Sequence, residues 1–300
     1  MKSEELSQKS HEQVAEELIV KGDKFFSKKE YEQAVDSYTK AIELDHTDFY
    51  GYYNRCVAYY ALNFFDKAFS DINAALSINP DDDYSYFVRG DIYYKTQCYE
   101  ESLADFNKAI SLNPNNPKYY NQRGDIYLYI QKRYDEALLD FNTAIEICQS
   151  NDDFYYNRGN VYLYTKRYDE AIIEFDKAIA INSENDFYYN NRGEAYSKLG
   201  NYDQALAGYD KAISLSEKDG LNYAGRGELY LKQYFIDNDE EKLNKAYEDL
   251  TKAVEFENEK VEEAYYSLSK YYKAVGNTEK QKEYYDKAIE AGFDESGLAD

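Results

Sequence analysis

Small and large apolar residues recur along the chain at intervals close to 34 residues. One column is always Ala, with spacings of 34, 34, 35, 34, 34, 41 and 35 residues. A second small column and a large column precede it, offset from one another by four and then three residues. That offset stacks the columns on one helical face, so the pattern predicts an amphipathic helix in every interval. The Ala column consists of Ala41, Ala75, Ala109, Ala144, Ala178, Ala212, Ala253 and Ala288.

A second helical face precedes the first one in each interval. It carries a large residue, a small residue four positions on, and an aromatic three positions further. Gly inside a helix costs roughly 1 kcal/mol relative to Ala, so its recurrence indicates that another helix approaches closely at these positions. Each interval is therefore predicted to fold as two packed helices. The small column consists of Gly22, Cys56, Gly90, Gly124, Gly159, Gly193, Gly227 and Ser269.

These columns resemble the signature of the tetratricopeptide repeat (TPR) family, with Tyr where that family usually has Trp. The resemblance covers residues 15–295, and it implies an all-α, right-handed solenoid superhelix of antiparallel helix pairs. It also implies that the first helix of each pair lines a concave groove. An N-terminal extension, 1–14, helical or frayed, and a C-terminal tail, 296–300, flank the array. The eight predicted units are 15–48, 49–82, 83–116, 117–151, 152–185, 186–219, 220–261 and 262–295.

Two of the units are longer than the others. The fourth has one added residue around 131–133, and the seventh has seven added residues near 234–240. Extra residues in repeat proteins usually enter inter-helix loops, so both additions are predicted to lengthen a loop. A recognition element is the alternative in the seventh unit, because Tyr234, Phe235 and Ile236 are more apolar than a plain loop requires.

The composition narrows the range of partners. Lys and Arg number 35 against 58 Asp and Glu, and the net charge of −23 disfavours binding to nucleic acid and to anionic membranes. An apolar content of 43% excludes global disorder. No run approaches the roughly 18 apolar residues of a membrane span. Three scattered cysteines and the lack of a visible signal peptide favour a cytoplasmic location, with a removed signal peptide as the alternative.

The chain offers little catalytic chemistry. Its two histidines, His11 and His46, stand in different settings without metal-ligand spacing, and they support no catalytic arrangement with Ser, Cys or Asp. No Gly-rich phosphate-binding or dinucleotide-binding motif occurs. We therefore expect no enzyme activity, no metal site and no cofactor.

An Arg precedes the small column in six units, and an acid precedes the large column of the second helix in five. We interpret these sets as a ladder of Arg–carboxylate pairs within or between units. The alternative is that each Arg lays its alkyl stem on the packing face and keeps its guanidinium in water. Gly208 interrupts the acids in the sixth unit. The two sets are Arg55, Arg89, Arg123, Arg158, Arg192 and Arg226, and Asp71, Asp105, Asp140, Glu174 and Asp249.

Polar and aromatic side chains occupy the face of the first helices that is expected to line the groove. A row of amides spaced by one repeat can hydrogen-bond an extended peptide backbone, and aromatics between them add apolar contact area. The alternative is that these amides are common at these repeat positions without a binding role and only contact water. Acids in the groove and the negative net charge favour a neutral or basic partner. The expected partner-binding residues are Tyr53, Asn54, Phe87, Asp91, Gln122, Asp125, Tyr156, Asn157, Asn160, Asn190, Asn191, Glu194 and Glu228.

The sequence thus predicts a non-catalytic scaffold or adaptor that binds a protein or peptide in its groove. The clamp that holds acidic chaperone tails in some TPR co-chaperones is not expected, because Tyr156, Leu221 and Gly225 stand where its basic residues would lie. Two other functions are alternatives. One is a structural array that self-associates, and the other is a targeting module that acts with a separate enzyme.

Overall fold

Sixteen α-helices make up most of the part of the chain that the structure describes. The computed structural model describes residues 10–256 and 261–294, and no strand occurs within these ranges. The chain divides into two compact units between residues 147 and 148, and each unit holds four consecutive helix pairs. The predicted tail, 296–300, and residues 1–9 of the predicted extension lie outside the described residues. Residues 10–14 of that extension form the start of the first helix, where Ser10 and Gln13 make the capping box.

Unit 1, residues 1–147, contains helices α1 to α8. Each odd-numbered helix packs against the even-numbered helix that follows it, and each even-numbered helix up to α6 also packs against the next odd one. Contacts of α1 with α3 and of α3 with α5 place these odd-numbered helices side by side. The helices are α1 (His11–Ser27), α2 (Tyr31–Leu44), α3 (Phe49–Ala61), α4 (Phe65–Ile78), α5 (Asp83–Lys95), α6 (Tyr99–Leu112), α7 (Pro117–Asp125, continued by a π-helical turn over Ile126–Ile130) and α8 (Tyr134–Ile147).

Unit 2, residues 148–300, repeats this arrangement with α9 to α16. The odd-numbered helices α9, α11, α13 and α15 contact one another in sequence order. The helices are α9 (Asp152–Tyr164), α10 (Tyr168–Ile181), α11 (Asp186–Lys198), α12 (Tyr202–Leu215), α13 (Gly220–Asp237), α14 (Glu240–Glu255), α15 (Val261–Ala274) and α16 (Thr278–Glu290).

Short polar residues and left-handed turns set the helix ends. Each odd-numbered helix from α3 to α13 follows an Asp or Asn whose side chain accepts a hydrogen bond from a backbone N–H of the first turn. The middle residue of the turn inside a pair has a positive φ, for example 61° at Gln97 and 80° at Gly200. The caps and turns use residues within or directly beside each pair, so the ends of its helices are specified by local sequence.

The two small columns lie where helices meet, as predicted. Every member of the Ala column is at most 1% exposed. A Cβ at Gly90 would lie 2.6 Å from a ring carbon of Phe106, and a Cβ at Gly159 would lie 2.7 Å from a ring carbon of Phe175. An aromatic ring of the second helix therefore packs directly on the backbone of the first helix, which explains why Gly recurs there despite its helix propensity.

The Arg–carboxylate ladder forms inside the repeats and also connects them. Nε and Nη2 of Arg89 donate to the Asp105 carboxylate of the same pair at 2.7 and 2.8 Å. Nη1 of Arg89 donates to Oδ1 of Asn73, on the second helix of the preceding pair, at 2.8 Å. Arg89 thus ties the two helices of its own pair together and also contacts the preceding pair. Arg55, Arg123 and Arg226 make the same two kinds of contact. The other acid pairs are Arg55–Asp71, Arg123–Asp140, Arg158–Glu174 and Arg226–Asp249.

The sixth repeat lacks this pair because Gly208 stands in the acid position. Nη1 of Arg192 reaches Asp176 of the preceding pair at 2.5 Å, but its buried Nε has no hydrogen-bond partner in the described part of the chain. A Cβ at Gly208 would lie 3.0 Å from the Tyr189 carbonyl oxygen and 3.1 Å from Cα of Gly193. The helices α11 and α12 are therefore too close at this point for a side chain to enter without a shift.

Both predictions of longer loops are wrong. The fourth repeat keeps a three-residue turn, 131–133, and takes up its added residue as the π-helical turn, in which Gln131 N–H donates to the Ile126 carbonyl oxygen. In the seventh repeat α13 is 18 residues long, whereas α11 has 13, and α14 begins six residues before Ala246. Residues 230–237 contain neither Gly nor Pro, so nothing ends α13 before Asn238, which adopts a φ of 56°.

Candidate partner-binding groove

Side-chain hydrogen bonds link successive odd-numbered helices on the face that carries the predicted groove residues, here called the groove face of a unit. The donor is an amide two residues before the small residue, and the acceptor is one residue after the small residue of the preceding odd-numbered helix. We call this bond a rung. In unit 1, Asn54 Nδ2 donates to Asp23 at 3.1 Å and Gln122 Nε2 donates to Asp91 at 3.2 Å. In unit 2, Asn191 Nδ2 donates to Asn160 Oδ1 at 2.8 Å.

The rungs hold the amide side chains in one orientation. Nδ2 of Asn191 also donates to the Tyr156 hydroxyl at 3.1 Å, so both its N–H groups are used within the protein. Within the described residues, the side-chain carbonyl oxygens of Asn54 and Asn191 accept no hydrogen bond from the protein. Fixed amides of this kind offer acceptors for backbone N–H groups of another chain.

The structure separates the predicted groove residues into two groups. Asn157, Asn160, Asn190 and Phe87 are buried. The others are half-buried, except Glu228, which is exposed. The half-buried residues are Tyr53, Asn54, Asp91, Gln122, Asp125, Tyr156, Asn191 and Glu194.

Two of the buried residues belong to the packing between repeats. Phe87 lies in the core of unit 1, with its ring centroid 5.8 Å from that of Phe106 and 5.0 Å from that of Tyr119. Asn190 Nδ2 donates to Asn222 Oδ1 at 2.9 Å, and Asn222 Nδ2 donates to Asp186 at 2.8 Å. The structure thus corrects the prediction that Phe87 is a surface residue of the groove, because the next repeat covers it.

The acids on the groove face have different environments. Burial raises the pKa of Asp91 to about 6, although the hydrogen bond from Gln122 and the charge of Lys95 act in the opposite direction. Glu228 is exposed and has Lys270 of the next odd-numbered helix at 3.4 Å. Of these two carboxylates, Asp91 therefore has the charge that nearby cations compensate less.

Sequence reasoning missed a rearrangement around Tyr209. Its ring replaces the rung at Gly225, since a Cβ at this glycine would lie 2.5 Å from a ring carbon of Tyr209. Burial raises the pKa of Tyr209 well above its usual range, and Glu194, Glu228 and Glu263 add to the effect. The signal was available in the sequence, because Gly225 stands in a column otherwise rich in Asn and Gln and follows the repeat in which Gly208 replaces the acid.

The described residues contain no group of three or more His, Cys, Asp or Glu side chains arranged to hold a metal ion. Within the same residues, every helix is too short or too polar to cross a membrane. The three cysteines are unpaired, and Cys56 is buried in the small column, as its position predicted.

Comparison with solved structures finds the same fold. A TPR protein from Parabacteroides merdae is 23% identical, with a TM-score of 0.66 over 86% of this chain and 99% of that chain. The C-terminal part of a TPR repeat-containing protein from Cytophaga hutchinsonii is 21% identical, with a TM-score of 0.62 over 82% and 98%. YrrB, described as a TPR protein with an unusual peptide-binding site, is 22% identical, with a TM-score of 0.52 over 63% and 96%.

Comparison with protein-family models identifies the repeats. A model described as a TPR repeat matches residues 22–63, 90–128 and 128–165. Two models described as tetratricopeptide repeats match residues 153–218 and 262–291. Comparison with curated proteins finds no match. Because these matches together span more than half of the chain and the helices pair in sequence order, the chain belongs to the tetratricopeptide repeat family.

Proposed function

We propose that this protein is a non-catalytic interaction scaffold that binds an extended segment of a partner protein on its groove face. The observation that carries the proposal is the orientation of the rung amides. Asn54 in unit 1 uses one N–H and Asn191 in unit 2 uses both within the protein, and their carbonyl oxygens remain available to accept from a partner backbone. Such bonds need no particular partner side chain, so they supply affinity along a peptide while other groups supply specificity.

Rigid placement of these amides supports the proposal. They lie on helices rather than loops, and the rungs reduce the side-chain entropy that binding would otherwise cost. Tyr53 and Tyr156 stand beside them and offer half-buried aromatic surface. YrrB, which has the same fold, is described as having a peptide-binding site, and this is the kind of activity that we propose here.

A test starts from a phage-displayed library of random 12-residue peptides selected on the full chain. Enriched peptides are then synthesised with a fluorescent label, and their binding is measured by fluorescence anisotropy. We expect Asn54→Ala or Asn191→Ala to weaken binding of peptides that lie along the corresponding unit about fivefold or more, because each change removes a backbone acceptor. Asn244→Ala, on the exposed side of α14, is the matched control and leaves binding unchanged.

Urea unfolding of each variant separates lost binding from lost structure, since removal of a rung also costs about 1 kcal/mol. Enriched peptides that bind both groove variants as tightly as the unchanged chain would remove the groove face from the function. A selection that yields no binding peptide would contradict the scaffold proposal as a whole.

A further inference from the structure

Asp91 combines a negative charge, a groove position and the absence of an ion pair. It is half-buried in α5, and no cation lies within 4.0 Å of its carboxylate among the residues that the structure describes. Its hydrogen bond comes from the neutral amide of Gln122, at 3.2 Å. The carboxylate is thus half-buried without an ion pair, and burial raises its pKa to about 6.

The rung itself does not require this charge. In unit 2 the same two repeat positions are Asn160 and Asn191, and they form the rung at 2.8 Å with a neutral acceptor. An Asn at position 91 would accept the same hydrogen bond from Gln122 without the cost of burying a charge. A residue that lowers stability while a neutral alternative exists is expected where function needs the charge.

Two tyrosines lie near enough to the Asp91 carboxylate for its charge to act on them. Tyr60 on α3 and Tyr94 on α5 are half-buried, and the charge of Asp91 adds to burial in raising the pKa of both phenols, that of Tyr60 to about 12. Asp125, on α7, also acts on Tyr94, so this region carries a second carboxylate. The exposed Lys95 is the cation that acts on Asp91, but it forms no ion pair with it.

We infer that Asp91 receives a Lys or Arg side chain of the bound partner segment, with Tyr60 and Tyr94 beside the aliphatic stem of that side chain. The inference rests on the proposed function and specifies its partner chemistry in unit 1. A partner ammonium or guanidinium group supplies the ion pair that the free protein lacks, and the phenol rings favour a cation through their electron-rich faces. A neutral or acidic side chain at this point would leave the carboxylate buried and unpaired.

The test uses mixtures of acetylated and amidated octapeptides, each with Lys, Arg, Gln or Glu fixed at one position in turn. Their binding to the full chain is measured at pH 7.5. We expect one position at which Lys or Arg binds about tenfold more tightly than Gln, and Glu more weakly still. Asp91→Asn should remove this preference, so that the Lys, Arg and Gln mixtures bind with affinities within about twofold of one another.

Asp66→Asn is the matched control, because Asp66 is an exposed acid on α4 in the same unit and its replacement removes the same net charge. It should keep the preference for Lys and Arg. A pH series adds a second measurement. Asp91 must be ionised to pair with a cation, so the preference should grow between pH 5 and pH 7.5 around the pKa of about 6 and should be absent at every pH in Asp91→Asn.

The outcomes separate the two proposals. Binding without a basic preference, or a preference that survives Asp91→Asn, overturns the Asp91 inference and leaves the scaffold function intact. If Asp66→Asn loses the preference for Lys and Arg to the same extent, the preference comes from net charge, and the inference is also overturned. Absence of binding by every mixture contradicts both proposals. Circular dichroism and urea unfolding show that Asp91→Asn is folded, as expected from the gain in stability that the neutral side chain gives.

Discussion

The two units build the same rung from different chemistry. Gln122 donates to the carboxylate of Asp91 in unit 1, whereas Asn191 donates to the amide oxygen of Asn160 in unit 2. The helices and the repeat positions are equivalent, so the bond alone does not explain the charge. Repeat geometry therefore sets which positions meet, whereas the residue at each position sets what a partner would encounter there.

The Arg–carboxylate ladder shows a second difference. In unit 1, Arg123 makes two bonds to Asp140, whose side chain is 2% exposed, and burial raises the pKa of that acid. In unit 2, Arg192 faces Gly208, and its ion pair within the described residues is with the exposed Asp176. An identical residue at an identical repeat position is therefore expected to contribute differently to stability.

The largest expected effect comes from truncating these arginines. Arg123→Ala should lower the free energy of unfolding by about 3 kcal/mol or more, because it leaves the Asp140 carboxylate buried without its cation. Arg192→Ala should cost about 1 kcal/mol or less, because its ion-pair partner is exposed and no buried acid is left behind. Urea unfolding followed by circular dichroism measures both. Equal costs for the two variants would show that the ladder contributes through the packing of the Arg stems.

An exchange of charge between the rungs should have an intermediate effect. Asp91→Asn should raise the free energy of unfolding at pH 7.5 by about 1–3 kcal/mol, and Asn160→Asp should lower it by a similar amount. Both follow from the cost of burying an ionised carboxylate, which the raised pKa of Asp91 expresses. Urea unfolding at several pH values measures them.

The pH dependence of the stability gained by Asp91→Asn tests whether that gain comes from ionisation of the Asp91 carboxyl. As the pH falls, a carboxyl with a raised pKa binds a proton in the folded state before it does in the unfolded state. The free-energy cost of burying its charge is therefore complete above about pH 6, and it is lost as the pH falls toward the ordinary pKa of 3.8. The advantage of Asp91→Asn should therefore shrink between pH 7.5 and pH 4.5. A constant advantage across that range would mean that it does not come from ionisation.

The smallest expected effect concerns the turns inside the pairs. Gln97 in unit 1 and Gly200 in unit 2 both have a positive φ, 61° and 80°. Gln97→Gly should raise the free energy of unfolding by about 0.5–1 kcal/mol, and Gly200→Gln should lower it by a similar amount, because only Gly adopts this conformation without strain. Apart from its chain neighbours, no atom of the described residues lies within 4 Å of a Cβ built on Gly200, so the effect there is conformational. Melting temperatures that move in the same direction for both variants would contradict this reasoning.

Much of the architecture was predictable because each helix pair is specified by its own interval of sequence. The Ala and Gly columns, the Asx caps and the Arg–acid pairs depend on residues within one interval or the next. The rungs were harder to predict, because they join two different repeat positions on successive helices, and periodicity does not show which positions face each other. The burial of Phe87 and Asn190 depends on contacts of these residues with the following repeat, which periodicity alone does not give.

The sequence by itself determined the helix pairs, their order and the acidic character of the chain, since local periodicity and composition contain this information. Only the tertiary structure decided that the added residues lengthen α13 and α14 or form a π-helical turn, because a helix continues until caps and neighbours stop it. It also decided that Arg89 connects two repeats and that, among the described residues, no cation forms an ion pair with Asp91. Ion pairing and desolvation depend on distances across the interfaces between repeats, and those distances are set by packing.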